Sequence, residues 1–342
     1  MARRNDMATI AIVGFDFPDT GIERILCERE GHELVVCDGR SPEFIAEHAR
    51  GADAVISSYG IFAREVFAAL APTLRIVSRT GTGYDEIDVR SATEYGVAVC
   101  NVPGYGTEVV SDHAIALALA CLRRINEQDA ALRRGQWDYS ATRPLGQCKG
   151  RRFGVVGMGA IGSAAARKAA GLGFETVCWS RSLRGEARSP EGCRVVSLEE
   201  LIATSDVISL HTALTDDTYH LIDASAIASM KEGAIVVNTS RGAVVDTGAL
   251  ACALQEGRLW GAGLDVFEGE SIAADDPILA APHIVLTPHA AYWSEESGVE
   301  LRTRAYQAVL DALAGRRPVD CLNPGVFEEP YRGVFADGSF AR

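Results

Sequence analysis

The stretch Arg152–Gly173 reads R-F-G-V-V-G-M-G-A-I-G-S-A-A-A-R-K-A-A-G-L-G. Its short apolar run, Phe153 to Val156, predicts a buried strand, and Ser163 to Ala170 predicts a helix of small residues. Six residues form a glycine-rich turn between them: Gly157, Met158, Gly159, Ala160, Ile161 and Gly162. Strand, glycine turn and helix in this order are the structural context of a dinucleotide-binding fingerprint.

Each glycine of this turn has a separate physical role. Gly157 permits the tight turn, and Gly159 lets backbone N–H groups approach a pyrophosphate at the helix N-terminus. Gly162 lets the helix pack closely on the strand. The turn therefore predicts a nucleotide site, and the alternative is a glycine-rich turn that binds nothing.

Length and composition narrow the class of protein. The chain has 342 residues, of which 47% are hydrophobic and 23% charged, as expected for a globular protein of two domains. Its formal net charge of −13 argues against a nucleic-acid-binding surface. No apolar stretch approaches membrane-spanning length. The nine scattered cysteines lack C-x-x-C pairs, so we expect a cytoplasmic protein with no metal site.

Two regions of the chain alternate strand-like and helix-like segments, which predicts two doubly wound parallel sheets. In the first region the strands are predicted at Ala8–Gly14, Glu33–Cys37, Ala54–Ser57, Arg75–Ser78 and Val97–Val102. In the second they are predicted at 153–157, 175–180, 206–210, 234–239, 260–265 and 283–287. Between the regions, Ser111–Leu122 predicts an apolar helix with Ser111 and Asp112 as candidate caps, continued from Ile125 to Trp137. A last helix is predicted at Ser294–Leu313.

The strand after the glycine turn bears on cofactor choice. A site that prefers NAD carries Asp or Glu at the end of this strand, where the carboxylate binds the ribose hydroxyls. Here Ser180 and Arg181 follow Thr176–Trp179, and no acid stands there. Because arginine pairs well with a phosphate, the sequence favours NADP over NAD. NAD is the alternative, with Arg181 as a solvated loop residue.

Polar residues follow three later strands, and each segment contains a candidate catalytic residue: Arg241, Glu270 and His289. Ligands of open α/β sheets bind outside the carboxyl ends of the strands, so these side chains are expected to meet. An arginine can bind a carboxylate, a histidine can carry a proton, and a nearby carboxylate stabilises the imidazolium. The alternative is that each residue has only a structural role: Arg241 caps a turn, Glu270 is a solvated loop acid, and His289 is a buried turn residue.

Four segments together resemble the D-isomer-specific 2-hydroxyacid dehydrogenases over about residues 50–322. They are Gly157–Gly162, Val236–Gly242, Gly263–Phe267 and Thr287–His289. Two further segments, Ser78–Asp85 and His289–Glu296, look most like the C-terminal-binding-protein subgroup. That subgroup contains transcriptional corepressors and bacterial relatives.

The resemblance implies a role for each matched residue. Arg241 would bind the carboxylate or carbonyl oxygen of a 2-oxo acid, His289 would be the acid/base on the C2 oxygen, and Glu270 would support it. Cofactor contacts are implied at His211, Thr212, Ala213, Thr218, Thr239 and Asp265, the last near the nicotinamide carboxamide. Substrate contacts are implied at Arg79, Thr80, Gly81, Thr82, Gly83 and Tyr292. Ser271 stands where the family usually has proline, and Ser180-Arg181 occurs in its NADP-using glyoxylate and hydroxypyruvate reductases.

The resemblance also implies an architecture and a reaction. A Rossmann NAD(P)-binding domain, residues 105–292, would be inserted into a flavodoxin-like substrate domain made of residues 1–104 and 293–342. The helix at 111–134 would form a homodimer, and its apolar surface would be explained by that contact. The implied reaction is hydride transfer between NADP(H) or NAD(H) and a 2-oxo acid/D-2-hydroxy acid pair. Two alternatives stay open: a nucleotide-sensing, corepressor-like interaction protein, and a dehydrogenase acting on a phosphonate or phosphite anion.

Overall fold

The structure, a computed structural model, describes residues 7–71, 73–270 and 272–328, without the side chains of Ala141 and Glu270. The chain divides into two compact units. The described residues up to Tyr105, together with those from Ser294 onward, form the first unit, and Gly106–Trp293 forms the second. Within the described residues, no helix has both the length and the apolar character needed to span a bilayer.

The first unit is built on one parallel sheet. Its strands are β1 (Thr9–Val13), β2 (Glu33–Cys37), β3 (Ala54–Ser57), β4 (Ile76–Arg79) and β5 (Ala98–Cys100). Its helices are α1 (Gly21–Glu30), α2 (Pro42–His48), α3 (Arg64–Leu70), α4 (Val89–Glu94) and a C-terminal helix at Glu295–Leu313. The strand order β2-β1-β3-β4-β5 is the flavodoxin-like order, which confirms this part of the predicted fold class.

The second unit is built on a larger parallel sheet. Its strands are β6 (Arg152–Val156), β7 (Glu175–Trp179), β8 (Arg194–Val195), β9 (Val207–Leu210), β10 (Ile235–Asn238), β11 (Gly261–Leu264) and β12 (Ile284–Leu286). Its helices are α5 (Thr107–Arg123), α6 (Ile125–Arg133), α7 (Ala160–Gly171), α8 (Leu198–Thr204), α9 (Ala224–Ser229) and α10 (Thr247–Gln255). The C-terminal helix is therefore α11. The strand order β12-β11-β10-β9-β6-β7-β8 is a Rossmann order with one added strand, as predicted.

The prediction for the helices before the glycine turn was wrong at both ends. Helix α5 begins at Thr107 after an N-cap at Gly106, and Ser111 lies inside it, where its hydroxyl donates to the Thr107 carbonyl at 2.8 Å. Arg124 then adopts a left-handed conformation with φ of 50°, which separates α5 from α6. Helix α6 ends at Arg133 rather than Trp137. The two-residue strand β8 is too short to show a period in the sequence.

The apolar surface of α5 is covered within its own unit. Leu117 packs so closely on β11 that a Cβ at Gly263 would lie 2.7 Å from the Leu117 Cβ. Ala114, Ala118 and Leu122 are buried in the same core as residues of β6 and β10. The expectation that a dimer contact explains this surface is therefore wrong, because intrachain packing already explains it.

A buried ion pair joins distant parts of the first unit. Glu23 of α1 is fully buried and accepts hydrogen bonds from Arg302 Nε at 2.8 Å and Nη2 at 2.5 Å. Arg302 lies on α11, so the pair fixes this helix to α1. The Arg302 guanidinium also lies over the rings of Phe15 and Phe17, 5.5 and 5.2 Å from their centroids.

Candidate active site

The three glycines of the turn after β6 have distinct surroundings. Gly157 has φ of 96°, and a Cβ there would lie 2.5 Å from the His211 carbonyl oxygen. A Cβ at Gly162 would lie 1.9 Å from the Gly157 carbonyl oxygen, so close packing of α7 requires glycine. A Cβ at Gly159 would meet no other atom within 4 Å. The chain's own packing thus requires the first and third glycines, while the second borders open space at the N-terminus of α7, a suitable place for a phosphate.

Two buried hydroxyl groups at the carboxyl edge of this sheet have no hydrogen-bond partner in the part of the chain that the structure describes. They are Thr212 Oγ1, two residues after β9, and Thr239 Oγ1, directly after β10. A buried hydroxyl without a partner is unfavourable, and such groups commonly bind a ligand or water. Both residues are predicted cofactor contacts. A dinucleotide with its many oxygen atoms fits the donors and acceptors found here.

His211 and Thr218 shape the loop beside the glycine turn. His211 Nε2 lies 2.9 Å from Ser209 Oγ, and burial lowers the pKa of His211 to about 4. This ring is therefore neutral near neutral pH, so it adds no charge beside the glycine turn Gly157–Gly162. Thr218 Oγ1 lies 2.7 Å from the Ala213 carbonyl oxygen and closes the loop between them.

At the end of β7, Arg181 already has an acidic neighbour. Its Nη1 lies 2.8 Å from Asp217 Oδ2, and both side chains are largely exposed. Ser180 Oγ lies 3.0 Å from Ser182 Oγ. Sequence analysis missed Asp217, which is 36 residues away along the chain and belongs to the loop after β9. The end of β7, where the sequence predicts the cofactor ribose, therefore pairs an arginine with an exposed carboxylate.

Asp265, directly after β11, is fully buried and holds the segment after β12. Its Oδ1 accepts hydrogen bonds from the Thr287 hydroxyl at 2.5 Å and from the Ala290 N–H at 2.9 Å. Its Oδ2 accepts one from the Ala291 N–H at 2.9 Å. The resemblance implied a cofactor contact here, but both carboxylate oxygens are bonded within the chain.

These bonds determine the backbone conformation of His289. The His289 N–H donates to the Asp265 carbonyl oxygen at 2.7 Å, and His289 has φ of 51°, a left-handed conformation that is uncommon outside glycine. The Tyr292 ring lies edge-on to the His289 ring with 6.1 Å between centroids. The candidate acid/base thus lies in a segment fixed on one side by Asp265.

His113 of α5 extends this network and was not predicted. Its Nε2 lies 3.0 Å from Thr287 Oγ1 and 3.6 Å from Asp265 Oδ1. The sequence contains one signal for it, a histidine following a polar pair in an otherwise apolar helix. Its partner lies 174 residues away, so spacing could not reveal the contact.

The other two candidate catalytic residues follow the neighbouring strands β10 and β11. Asn238, the last residue of β10, donates from Nδ2 to the Arg241 carbonyl oxygen at 2.8 Å, and Arg241 Nη1 donates to the Ser240 carbonyl at 2.8 Å. Glu270 ends a short helical turn at Glu268–Glu270, and its side chain lies outside the described residues. The segments that carry Arg241 and His289 thus follow strands at the same edge of the sheet. The position of the Glu270 side chain is not described.

A cavity of about 380 Å³ adjoins His289. Most of its wall is apolar and comes from five side chains: Val266, Phe267, Ile272, Leu279 and Leu286. Asp265 and Thr287 also line it. The imidazole therefore borders a space of low polarity, which strengthens electrostatic interactions within it.

The predicted substrate loop, Thr80–Gly83, lies in the first unit and is held by its own hydroxyl groups. Thr80 Oγ1 lies 2.8 Å from Ser58 Oγ, and Thr82 Oγ1 donates to the Val102 carbonyl at 3.2 Å. Arg79 ends β4, and its Nη1 donates to the Thr80 carbonyl at 2.6 Å. A Cβ at Gly81 would overlap the Arg79 guanidinium, which therefore lies directly against this loop.

Comparison with known proteins gives consistent matches. Residues 115–291 match the sequence model of the family described as D-isomer specific 2-hydroxyacid dehydrogenase, NAD binding domain. A glyoxylate reductase of Korarchaeum cryptofilum is 40% identical over 318 residues, which are 91% of this chain and 95% of the relative.

Two solved structures share the architecture over most of this chain. A glyoxylate reductase from Paecilomyes thermophila has a TM-score of 0.81 and 29% identity, covering 92% of this chain and 98% of its own. An acyclic imino acid reductase in complex with NADPH and D-Arg has a TM-score of 0.82 and 26% identity, covering 92% and 99%.

The surroundings of Gly159 and Gly162 predict opposite effects of adding one methyl group. Gly162→Ala forces Cβ against the Gly157 carbonyl, so we expect a loss of about 1–3 kcal/mol in the free energy of unfolding. Gly159→Ala meets no chain atom and should stay within about 1 kcal/mol of wild type. Gly159→Ala should weaken dinucleotide binding by about tenfold or more, because the added methyl group occupies the space predicted for the phosphates. Denaturant unfolding and fluorescence titration with NADPH measure the two effects. Greater instability in Gly159→Ala than in Gly162→Ala would contradict this assignment.

Proposed function

The chain belongs to the D-isomer specific 2-hydroxyacid dehydrogenases, and we propose on that premise that His289 is the proton donor in the reduction of its 2-oxo acid. The reaction of this protein is hydride transfer between a nicotinamide cofactor and a 2-oxo acid/2-hydroxy acid pair. The observation that carries the proposal is the left-handed conformation of His289, whose N–H donates to the Asp265 backbone carbonyl while the next two N–H groups donate to the Asp265 carboxylate. We further propose that Arg241 binds the substrate's carboxylate or carbonyl oxygen.

The chain's own residues supply binding and proton transfer. When bound, the nicotinamide supplies the hydride. As the ketone carbon is reduced, its oxygen needs a proton, which an imidazolium at His289 can donate; the reverse reaction needs the neutral ring. An arginine can bind a carboxylate through two parallel hydrogen bonds, which would orient the substrate at Arg241. Glu270 as the supporting carboxylate stays a sequence-based prediction.

We propose NADP(H) as the preferred cofactor, with NAD(H) as the alternative. The support is the position of Arg181 after β7 and the lack of an acid at that strand end. The exposed pair between Arg181 and Asp217 is worth about 0–1 kcal/mol, as is usual for surface ion pairs. A 2′-phosphate carries more charge than a carboxylate and can replace Asp217 as the partner of Arg181.

We propose that the chain forms a homodimer through the surface of α6 and the segment after it. This surface exposes four large apolar side chains: Ile125, Leu132, Trp137 and Tyr139, with Trp137 88% exposed. Several large exposed apolar side chains within one short stretch of chain are typical of a protein interface. These exposed side chains support a homodimer without any contribution from α5, because the apolar residues of α5 are covered within their own unit.

Removing the proton donor should abolish most turnover while leaving cofactor binding intact. His289→Ala should lower kcat for 2-oxo acid reduction by about two to four powers of ten, the usual contribution of a positioned acid/base. Steady-state kinetics and NADPH titration measure these effects. His48→Ala, an exposed histidine of α2, is the control and should keep wild-type kcat. Near-normal turnover in His289→Ala would refute the assignment.

Two variants test the cofactor preference in opposite directions. Arg181→Ala should raise the KM for NADPH by about tenfold, since it removes a charged partner of the 2′-phosphate, and should leave the KM for NADH nearly unchanged. Asp217→Asn should lower the KM for NADPH, because it removes the competing carboxylate. Equal changes for both cofactors in Arg181→Ala would show that this residue does not meet a 2′-phosphate.

The oligomeric state can be tested on the proposed surface itself. The wild type should show twice the monomer mass of 36.5 kDa by light scattering at micromolar concentration. The double variant Leu132→Glu/Trp137→Glu should be monomeric, because it places charges in an apolar contact. Val319→Glu alters an equally exposed apolar residue elsewhere and should remain dimeric. A monomeric wild type would refute the proposal.

A further inference from the structure

Two arginines lie over one tyrosine ring at the carboxyl edge of the first unit's sheet. The guanidinium carbon of Arg40 lies 4.9 Å from the ring centroid of Tyr59, and that of Arg79 lies 5.6 Å from it. Arg40 follows β2, Tyr59 follows β3, and Arg79 ends β4. In the order β2-β1-β3-β4-β5, the chain reverses direction of winding between β1 and β3, and ligands of such sheets bind outside the carboxyl ends at this point.

The backbone around Tyr59 holds this arrangement in place. The Tyr59 N–H donates to the Gly14 carbonyl at 3.1 Å, and the Ile61 N–H donates to the Arg40 carbonyl at 2.9 Å. Gly14 has φ of 54°, and a Cβ there would lie 2.8 Å from the Gly60 nitrogen and 3.2 Å from Arg40 Cγ. The loops after β1, β2 and β3 are therefore packed too closely for a side chain between them.

The cluster places two positive charges beside one aromatic ring. Two guanidinium groups beside one ring repel each other, and the attraction of each to the ring only partly offsets this. Asp16 Oδ1 lies 3.8 Å from Arg40 Nη2, and this pair is exposed. Arg79 Nε is buried and has no hydrogen-bond partner among the described residues. An anion bound here would reduce the repulsion and could satisfy that donor.

We propose that Arg40, Tyr59 and Arg79 form a subsite for a second anionic group, so that the preferred 2-oxo acid is a dicarboxylate. The inference rests on the proposed function, and it takes the loop Thr80–Gly83, where the resemblance implies substrate contacts, as the place of the first carboxylate. Arg79 lies against that loop on one side and over Tyr59 on the other, and Arg40 lies over the same ring, so Tyr59 links both guanidinium groups to the loop. The apolar cavity beside His289 would instead suit a substrate with a hydrocarbon tail. The two guanidinium charges of Arg40 and Arg79 favour the substrate with a second carboxylate.

The experiment compares two substrates of equal chain length with NADPH as reductant. The wild type should show a kcat/KM about tenfold higher or more for 2-oxoglutarate than for 2-oxopentanoate, which lacks the second carboxylate. In Arg40→Gln this ratio should fall to within about twofold of one. Arg29→Gln removes the same charge from an exposed position at the end of α1 and should keep the wild-type ratio. A wild-type ratio of one or below, or a ratio unchanged in Arg40→Gln, overturns the proposal; a ratio below one would assign the tail to the apolar cavity.

A binding measurement separates failure of this subsite from failure of the proposed function. Glutarate has both carboxylates but no reducible carbonyl, and calorimetry should show that it binds more tightly than pentanoate to the wild type and not to Arg40→Gln. If glutarate binds in this way but no 2-oxo acid is reduced, the subsite stands and the proposed function fails. If glyoxylate is reduced and glutarate binds no better than pentanoate, the proposed function stands and the subsite fails.

Discussion

The sheet edge that carries the candidate active site of the second unit depends on one buried carboxylate. Asp265 is fully removed from water, and a buried charge is tolerated only when its oxygens are hydrogen-bonded. Three donors meet this need, and all come from the segment after β12: the Thr287 hydroxyl and the N–H groups of Ala290 and Ala291. Since both N–H groups must point inward together, the residue before them, His289, takes a left-handed conformation that costs about 1 kcal/mol or more. The position of the candidate proton donor is thus determined by a neighbouring charge.

The sequence predicted the features that depend on local pattern. Apolar runs bounded by turns gave β2 and β3 to the residue, and the carboxyl-end rule selected Arg241 and His289. It did not predict contacts between distant side chains, such as Arg181 with Asp217, because no periodicity encodes which loops meet. The same holds for the His113–Thr287 contact. The start of α5 was missed because Gly106 caps it without a side-chain hydrogen bond, whereas Ser111 has the residue type of a cap but lies inside the helix.

The ion pairs of this chain differ in burial, and burial distinguishes an arginine with a fixed partner from one whose partner can be exchanged. The pair between Glu23 and Arg302 is almost completely buried, and removing one member of such a pair costs about 3–5 kcal/mol. Arg302 therefore cannot exchange its partner. The exposed pair between Arg181 and Asp217 costs at most about 1 kcal/mol to break. An arginine can accept a ligand anion only where its resting partner is this weakly held, and the exposed Arg40–Asp16 pair meets the same condition.

Unpartnered polar atoms identify a site only in combination with topology. Several occur far from any strand's carboxyl end, for example Arg152 Nε at the start of β6 and Tyr306 Oη in α11. Thr212, Thr239 and Arg79 differ because each lies at or just beyond the carboxyl end of a parallel strand. In a parallel sheet all carboxyl ends share one edge, so unsatisfied groups there can bind one ligand, whereas isolated groups elsewhere cannot. A polar atom that is both unsatisfied and at the carboxyl end of a parallel strand therefore indicates a place where that unit can bind a ligand.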